Sequence, residues 1–458
     1  MESSHKHDAS DDQDFDNAFK LLQSLVEFSD ASELFPKRAN AVYTASVVLW
    51  MLVYQRLKPD ASLEAAVKHL IETKPDYLPN NKRVQQKTLS TNSTGYSRAR
   101  SDLPLEAVKW FANEVSSGVI STTEPTFDDK RVFLLDGTTI ALAPEKKLQT
   151  AYPAASNQFG EGVWPIALLT VFHELASGCA LLPQVGAMYG PEAVSETQLG
   201  RQGMEQLPSG SIVMADAGFG IFGVAYHGAK CGHDVLLRMK KANFESLRKN
   251  ADLQSESDHH KSYQLTWLPT TKNRKTEPAL PADASVDVFL HEVSVTDTLT
   301  LYLVSTLEQD AFTLAGLFER RYDVEVDIRN FKVVLGTEEI RAKSVDTFLK
   351  ELYTSVVAYN LTCQLRAEAA RLEGVPVRRM SFKRTWTTFQ TFLLRHMHQE
   401  ASQWREAFAD AFRYARQDKL PLRSNRSFKR EAYRKRPKDV QFEKRAKPAS
   451  KIRSNDLK

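Results

Sequence analysis

RVFLLDGTTI, residues Arg131 to Ile140, is an apolar run that ends in Asp136 with Gly137 directly behind it. A continuous apolar run of this length suits a strand buried on both faces, as in a sheet covered by helices. The same construction recurs at Ser211 to Gly220, SIVMADAGFG, where Asp216 closes the run and Gly218 follows. Aspartates at the C-terminal ends of such strands stand where open α/β sheets place their chemistry. Taken singly, each is also readable as a turn former, because Asp near Gly is a strong turn signal. Downstream, Leu314 to Gly336 (LAGLFERRYDVEVDIRNFKVVLG) predicts one long helix. At about 100° per residue, Leu317, Val324, Ile328, Phe331 and Leu335 form its apolar stripe. Beside that stripe, Phe318, Arg321, Glu325 and Lys332 lie within roughly 60° of one another around the axis. Asp327 projects nearly the opposite way, and Asp323 lies far round the helix. In isolation these charges read as a solvated ion-pair ladder. Two strand-end aspartates ahead of them favour a site instead.

The pattern Asp136, Asp216, Glu325 resembles the DDE triad of bacterial insertion-sequence transposases, and more narrowly the insertion-sequence-four family with its Y-x2-R-x3-E-x6-K helix. Phe318 stands at the Tyr of that motif, Arg321 at its Arg, Glu325 at its Glu and Lys332 at its Lys. Asp136 in DGTT and Asp216 in DAGF match the family's first and second regions. The likeness covers roughly residues 131 to 336. Phe for Tyr at 318 removes a hydroxyl contact, and Ala217 stands where many relatives carry Arg. The resemblance implies an RNase H-like α/β catalytic core, in which Asp136 and Asp216 lie on neighbouring strands. It also implies a β-strand insertion between the second Asp and the Glu.

The chain of 458 residues is long enough for about three domains. Its 42% hydrophobic and 26% charged content is ordinary for a globular protein. Three scattered cysteines form no metal or redox motif. No run reaches the roughly 18 apolar residues of a membrane span. Residues 1–16 read as a disordered acidic tail and 17–125 as an all-helical domain with i, i+3, i+4 apolar spacing. Within the latter, a loop from Asn80 to Pro104 carries Lys82, Arg83, Lys87, Arg98 and Arg100 among many hydroxyls. It is either a plain linker or a phosphate-contacting segment, with Arg98 and Arg100 as its DNA-binding residues. The catalytic core is expected over 126–345, with three strands followed by helix, strand, helix, strand, and the β insertion at about 241–310. Trp267 of that insertion is readable as a core residue or as a platform for an extruded base. A helical region follows over 346–417, and a basic tail over 418–458 holds most of the positive excess behind the net charge of +4.

Two aspartates and a glutamate suit phosphodiester chemistry through metal ions. Two divalent cations about 3.5–4 Å apart stabilise attacking and leaving oxygens, and Mg²⁺ asks for a few hard carboxylate ligands. The expectation is a Mg²⁺-dependent transposase, with two ions and Mn²⁺ as a substitute, held by Asp136, Asp216 and Glu325. Arg321, Lys332 and Phe318 would sit against DNA. Its partners are then double-stranded DNA, both element ends and target, and a second copy of the chain, with no membrane. A bacterial cytoplasm and nucleoid follow from the same resemblance. The alternative is a transposase-derived DNA-binding protein without catalysis.

Overall fold

A computed structural model describes residues 16–421, except 17–18, 21, 25–28, 37–40, 59, 74–77, 158–159, 335, 337–339 and 341. The acidic tail to residue 15 and the basic tail from residue 422 lie outside the described residues.

The centre of the fold is one nine-stranded sheet. Its first five strands are β1 (Val132–Ala141), β2 (Ile166–Glu174), β3 (Gln184–Ala187), β4 (Ile212–Ala215) and β5 (Asp234–Arg238). Four more follow: β6 (Asp252–Glu256), β7 (His260–Trp267), β8 (Val286–Thr296) and β9 (Leu299–Ser305). Across the sheet the order is β3-β2-β1-β4-β5-β9-β8-β7-β6. β2 runs antiparallel to β1, whereas β4 and β5 run parallel to it. The predicted sequence of three strands, then helix, strand, helix, strand, is therefore present. The segment after β5 does not form a separate sheet: β9 pairs antiparallel with β5 and carries the other three strands outward.

The apolar runs have the two-sided burial that their continuity predicts. In β1, Val132 and Leu134 face one core cluster and Phe133 and Leu135 the other; in β4, Ile212 and Met214 oppose Val213 and Ala215. The first face is covered by α9 (Ala311–Glu319) and α10 (Asp323–Arg329) through Leu314, Leu317, Phe318, Val324 and Ile328. The second face lies under a larger helical layer. This comprises α1 (Ala45–Leu57), α4 (Leu105–Ser121), α6 (Glu196–Met204), α7 (Phe222–Lys230) and α11 (Val345–Leu372). In between come α2 (Leu63–Thr73), α3 (Thr94–Asp102), α5 (Lys146–Ala151) and α8 (Lys241–Arg248), and after α11 come α12 (Phe382–His396) and α13 (Arg405–Arg416). None of the described helices is long and apolar enough to cross a membrane.

α11 packs against α4 and α1, and one buried amide fastens it to the sheet layer. Asn360 Oδ1 accepts from Ala180 N–H at 2.8 Å, while its Nδ2 donates to Ala180 O at 2.7 Å and Ser116 Oγ at 2.9 Å. Two expectations need correction. The stretch Asn80–Pro104 is not a loop: residues 94–102 are α3, whose Tyr96 is buried and donates to Gln55 Oε1 at 2.8 Å. The stretch Leu314–Gly336 is not one regular helix either. Between α9 and α10 lies a 3-10 turn, Arg320–Tyr322, and a π segment, Asn330–Val334, follows. The tighter and wider turns shift the face that each later residue presents, so a single 100° wheel holds only locally.

Replacing Asn360 with Leu strands the Ala180 amide in the core and leaves its carbonyl the Ser116 Oγ donor at 3.2 Å. Chemical denaturation is expected to show a loss of about 1–3 kcal/mol, the range for one buried unsatisfied group; no measurable loss would contradict this role. A second expectation concerns His291 of β8, 2% exposed and bonded at Nδ1 to Ser262 Oγ at 2.9 Å. Burial, reinforced by His260, pushes its pKa down to about 4. The unfolded chain therefore binds the proton more readily, so stability is complete above about pH 6.5 and declines as pH falls toward 4. The contribution is roughly 3 kcal/mol, and a His291→Asn variant should flatten that part of the stability–pH curve.

Candidate active site

The register of two strands brings Asp136 and Asp216 side by side. Leu135 of β1 pairs in parallel with Ala215 of β4, and each aspartate is the next residue along. Strand alternation turns both toward the face of Leu134 and Met214, the one covered by α9 and α10. Each carboxylate is anchored locally: Asp136 Oδ1 accepts from Gly137 N–H and Asp216 Oδ1 from Gly218 N–H, both at 2.8 Å. Over them reaches Arg321, a guanidinium only 7% exposed. Its Nη1 lies 3.5 Å from Asp136 Oδ2 and its Nη2 3.0 Å from Glu325 Oε1. Its guanidinium also sits over the Tyr322 ring, 4.8 Å from the centroid. One cation thus joins a strand carboxylate to a helix carboxylate that lies far along the chain.

A fourth carboxylate belongs to this group and was not anticipated. Glu196 opens α6, behind the Ser195 cap, and reaches over the Cα of Gly137. A Cβ at 137 would lie 2.5 Å from Glu196 Cδ and Oε1, so the bare glycine makes the room. Burial raises the Asp136 pKa, and the charges of Asp216 and Glu196 add to that against the Gly137 N–H and Arg321. Burial and the Asp216 charge likewise raise that of Glu196. In the sequence Glu196 is only the second residue of a Ser-Glu helix start, and nothing local distinguishes it from a cap.

Four clustered carboxylates of hard oxygen donors, with Arg321 as the cation seated among them, are a donor set suited to a divalent cation. Yet among the described residues no three His, Cys, Asp or Glu side chains converge closely enough to hold a metal ion. The fork of Arg321 lies between Asp136 and Glu325.

The segment bearing Glu325 is fixed from behind. Asp327, fully buried, takes Arg378 Nη1 on Oδ1 and Nη2 on Oδ2, each at 2.8 Å, and Arg378 Nε lies 2.9 Å from Asp323 Oδ2. The two acids that project away from Glu325 are therefore bound by one guanidinium contributed beyond α11.

The remaining predicted residues divide. Phe318 is buried in the core with Leu317 and Val324. Lys332 lies in the π segment, half-buried. Arg98 is exposed on α3, whereas Arg100 turns inward and pairs with the buried Glu351 at 3.0 Å. Trp267 packs edge-on against Phe222 at 5.8 Å and is buried, a core residue in this arrangement.

Asp327→Asn should lower stability in urea denaturation by about 3 kcal/mol, since it removes one partner of a buried pair. A loss below about 1 kcal/mol would mean that the Arg378 clamp does not hold this segment.

Residues 128–361 match the family described as the transposase DDE domain. No curated protein matches the chain. Among solved structures, the chain is similar to a piggyBac transposase in a synaptic complex with hairpin DNA. That match has 11% identity and a TM-score of 0.40, over 91% of this chain and 87% of that one.

Proposed function

The chain belongs to the transposase DDE domain family, and we propose on that premise that it is a cut-and-paste transposase of the insertion-sequence-four kind, built on an RNase H-like core. In this reading it binds the terminal inverted repeats of its own element, cleaves DNA there and joins the ends to a target. Asp136, Asp216 and Glu325 are the catalytic carboxylates. They would hold divalent cations, Mg²⁺ with two ions expected, which when bound activate the attacking oxygen and stabilise the leaving one. The observation that carries the reading is the convergence of Asp136 and Glu325 on Arg321 beside Asp216.

This chain's own residues do the rest. The parallel register holds Asp136 beside Asp216. β1 does not end at Asp136, as its apolar run implied, but goes on to Ala141 because its second half still pairs with β2, whereas Asp216 follows the last residue of β4. Arg321 offsets the carboxylate charge in the absence of DNA, and its planar fork suits a phosphate at the scissile position. Lys332 adds a point charge near the same segment, and Arg98 extends the phosphate contacts onto α3. Two copies acting together on paired ends, in a bacterial nucleoid, complete the proposal.

The test is cleavage of a labelled duplex that carries the DNA flanking the coding region, with Mg²⁺ or with chelator. Metal-dependent nicking is expected, reduced in Asp136→Ala and Glu325→Gln by more than about 100-fold, beyond the loss of an outer-shell partner. Binding of the duplex should change by less than about threefold, because most of it comes from phosphate contacts elsewhere. Glu325→Gln cutting at the wild-type rate would defeat the triad assignment. Tight, salt-sensitive binding with no cut by the wild-type protein would favour a transposase-derived DNA-binding protein.

A further inference from the structure

A cleft of about 960 Å³ opens among α1, the start of α2, α3, α5 and the start of α11, and shares no lining residue with the carboxylate centre. Among the described residues five cations line it, Arg56, Arg100, Lys146, Lys147 and Lys343, against two acids, Glu145 and Glu351. At its floor one buried carboxylate serves two guanidiniums: Arg56 Nη2 lies 3.5 Å from Glu351 Oε2 and Arg100 Nη1 3.0 Å from Oε1. One positive charge is thus left over where water is scarce. At its rim, Lys146 and Lys147 are exposed and their ammonium groups make no ion pair among the described residues. Lys343 meets Glu145 only at 3.7 Å, with the lysine 82% exposed, a contact of little strength.

Two further features narrow the ligand. The caps of α2 and α11, Ser62 and Ser344, both line the cleft, so two helix N-termini add partial positive charge. Ser97 also lines the wall, while the Ser101 and Thr150 hydroxyls there donate to the carbonyls of Ser97 and Lys146. The two arginines meet at Glu351 and the three lysines line the exposed rim, from α5 and from just ahead of α11, an extended arrangement that suits a chain of phosphates better than a single anion. Among the described residues no aromatic side chain lines the cleft, so unpaired bases find no stacking platform among them.

We infer that this cleft is a sequence-independent track for the phosphodiester backbone of duplex DNA, with Lys146, Lys147 and Lys343 as its phosphate contacts above the Arg56–Glu351–Arg100 floor. The choice of DNA as ligand rests on the transposase reading above. The track lies apart from the carboxylates, so its lysines position DNA and leave the chemistry to the triad.

The experiment measures the binding of the full chain to a labelled mixed-sequence duplex across a salt series. A Lys146→Ala, Lys147→Ala, Lys343→Ala protein is compared with wild type and with a charge-matched control, Lys230→Ala, Lys249→Ala, Lys275→Ala. The control lysines are also exposed. Each phosphate contact contributes roughly 0.9 to the slope of log affinity against log salt. The cleft variant should therefore lose about 2 to 3 from that slope, and the control less than about 1. All three proteins should melt at the same temperature, because the six side chains lie at the surface. An unchanged slope in the cleft variant, or an equal loss in the control, overturns the inference. Wild-type protein that binds and cuts DNA while the cleft variant keeps its slope defeats this inference alone. Wild-type protein that neither binds nor cuts defeats both it and the transposase reading.

Discussion

The position of Glu325 depends on a guanidinium from beyond the longest helix. Arg378 closes on Asp327 with one hydrogen bond and one ion-pair contact, both at 2.8 Å, and on Asp323 with a further ion-pair contact at 2.9 Å. A fully buried carboxylate is costly unless paired, so α10 has one favourable setting: Asp327 inward, Glu325 outward. The 3-10 and π turns on either side of α10 remove the regular ladder that would otherwise hold its orientation. The clamp replaces that constraint. It also makes the candidate centre a product of residues spread from β1 to the segment after α11.

Charge is the second organising quantity. Asp136 and Glu325 meet at Arg321, Asp216 and Glu196 lie beside Asp136, and burial and mutual repulsion push the Asp136 and Glu196 carboxyls upward. Repulsion of this kind is tolerable where a cation is to be bound and wasteful elsewhere. The same protein treats Glu351 in the opposite way, giving one carboxylate two arginines. Acids outnumber bases around Asp136 and Asp216, and among the described residues bases outnumber acids in the cleft. The two regions share one electrostatic logic with opposite signs.

Much of this was legible from residue pattern. Unbroken apolar runs ending in Asp136 and Asp216 implied strands buried on both faces, and Val132 to Leu135 are buried in just that alternation. The i, i+4 relation of Arg321 to Glu325 survived because it spans a single turn. The wheel failed over longer distances, where a local change of helix type accumulates. Arg100 could not be told from Arg98, since only the presence of Glu351 beneath α3 separates a structural arginine from an exposed one. Glu196 was invisible because its meaning comes from Gly137, on another element.

By itself the sequence determined the apolar strands, their order of appearance and the acid that follows each apolar run, because short-range periodicity and apolar content are local properties; that β1 runs on past Asp136 came from its pairing with β2. It also carried the triad pattern that the family match covers. Only the tertiary structure decided which strands adjoin, that the insertion extends the main sheet, and that Arg321 stands between Asp136 and Glu325. It alone gathered cations from separate elements into one cleft. Pairing of charges and strands across long separations is set by packing, where the desolvation of each buried group must be met by a partner that sequence proximity does not supply.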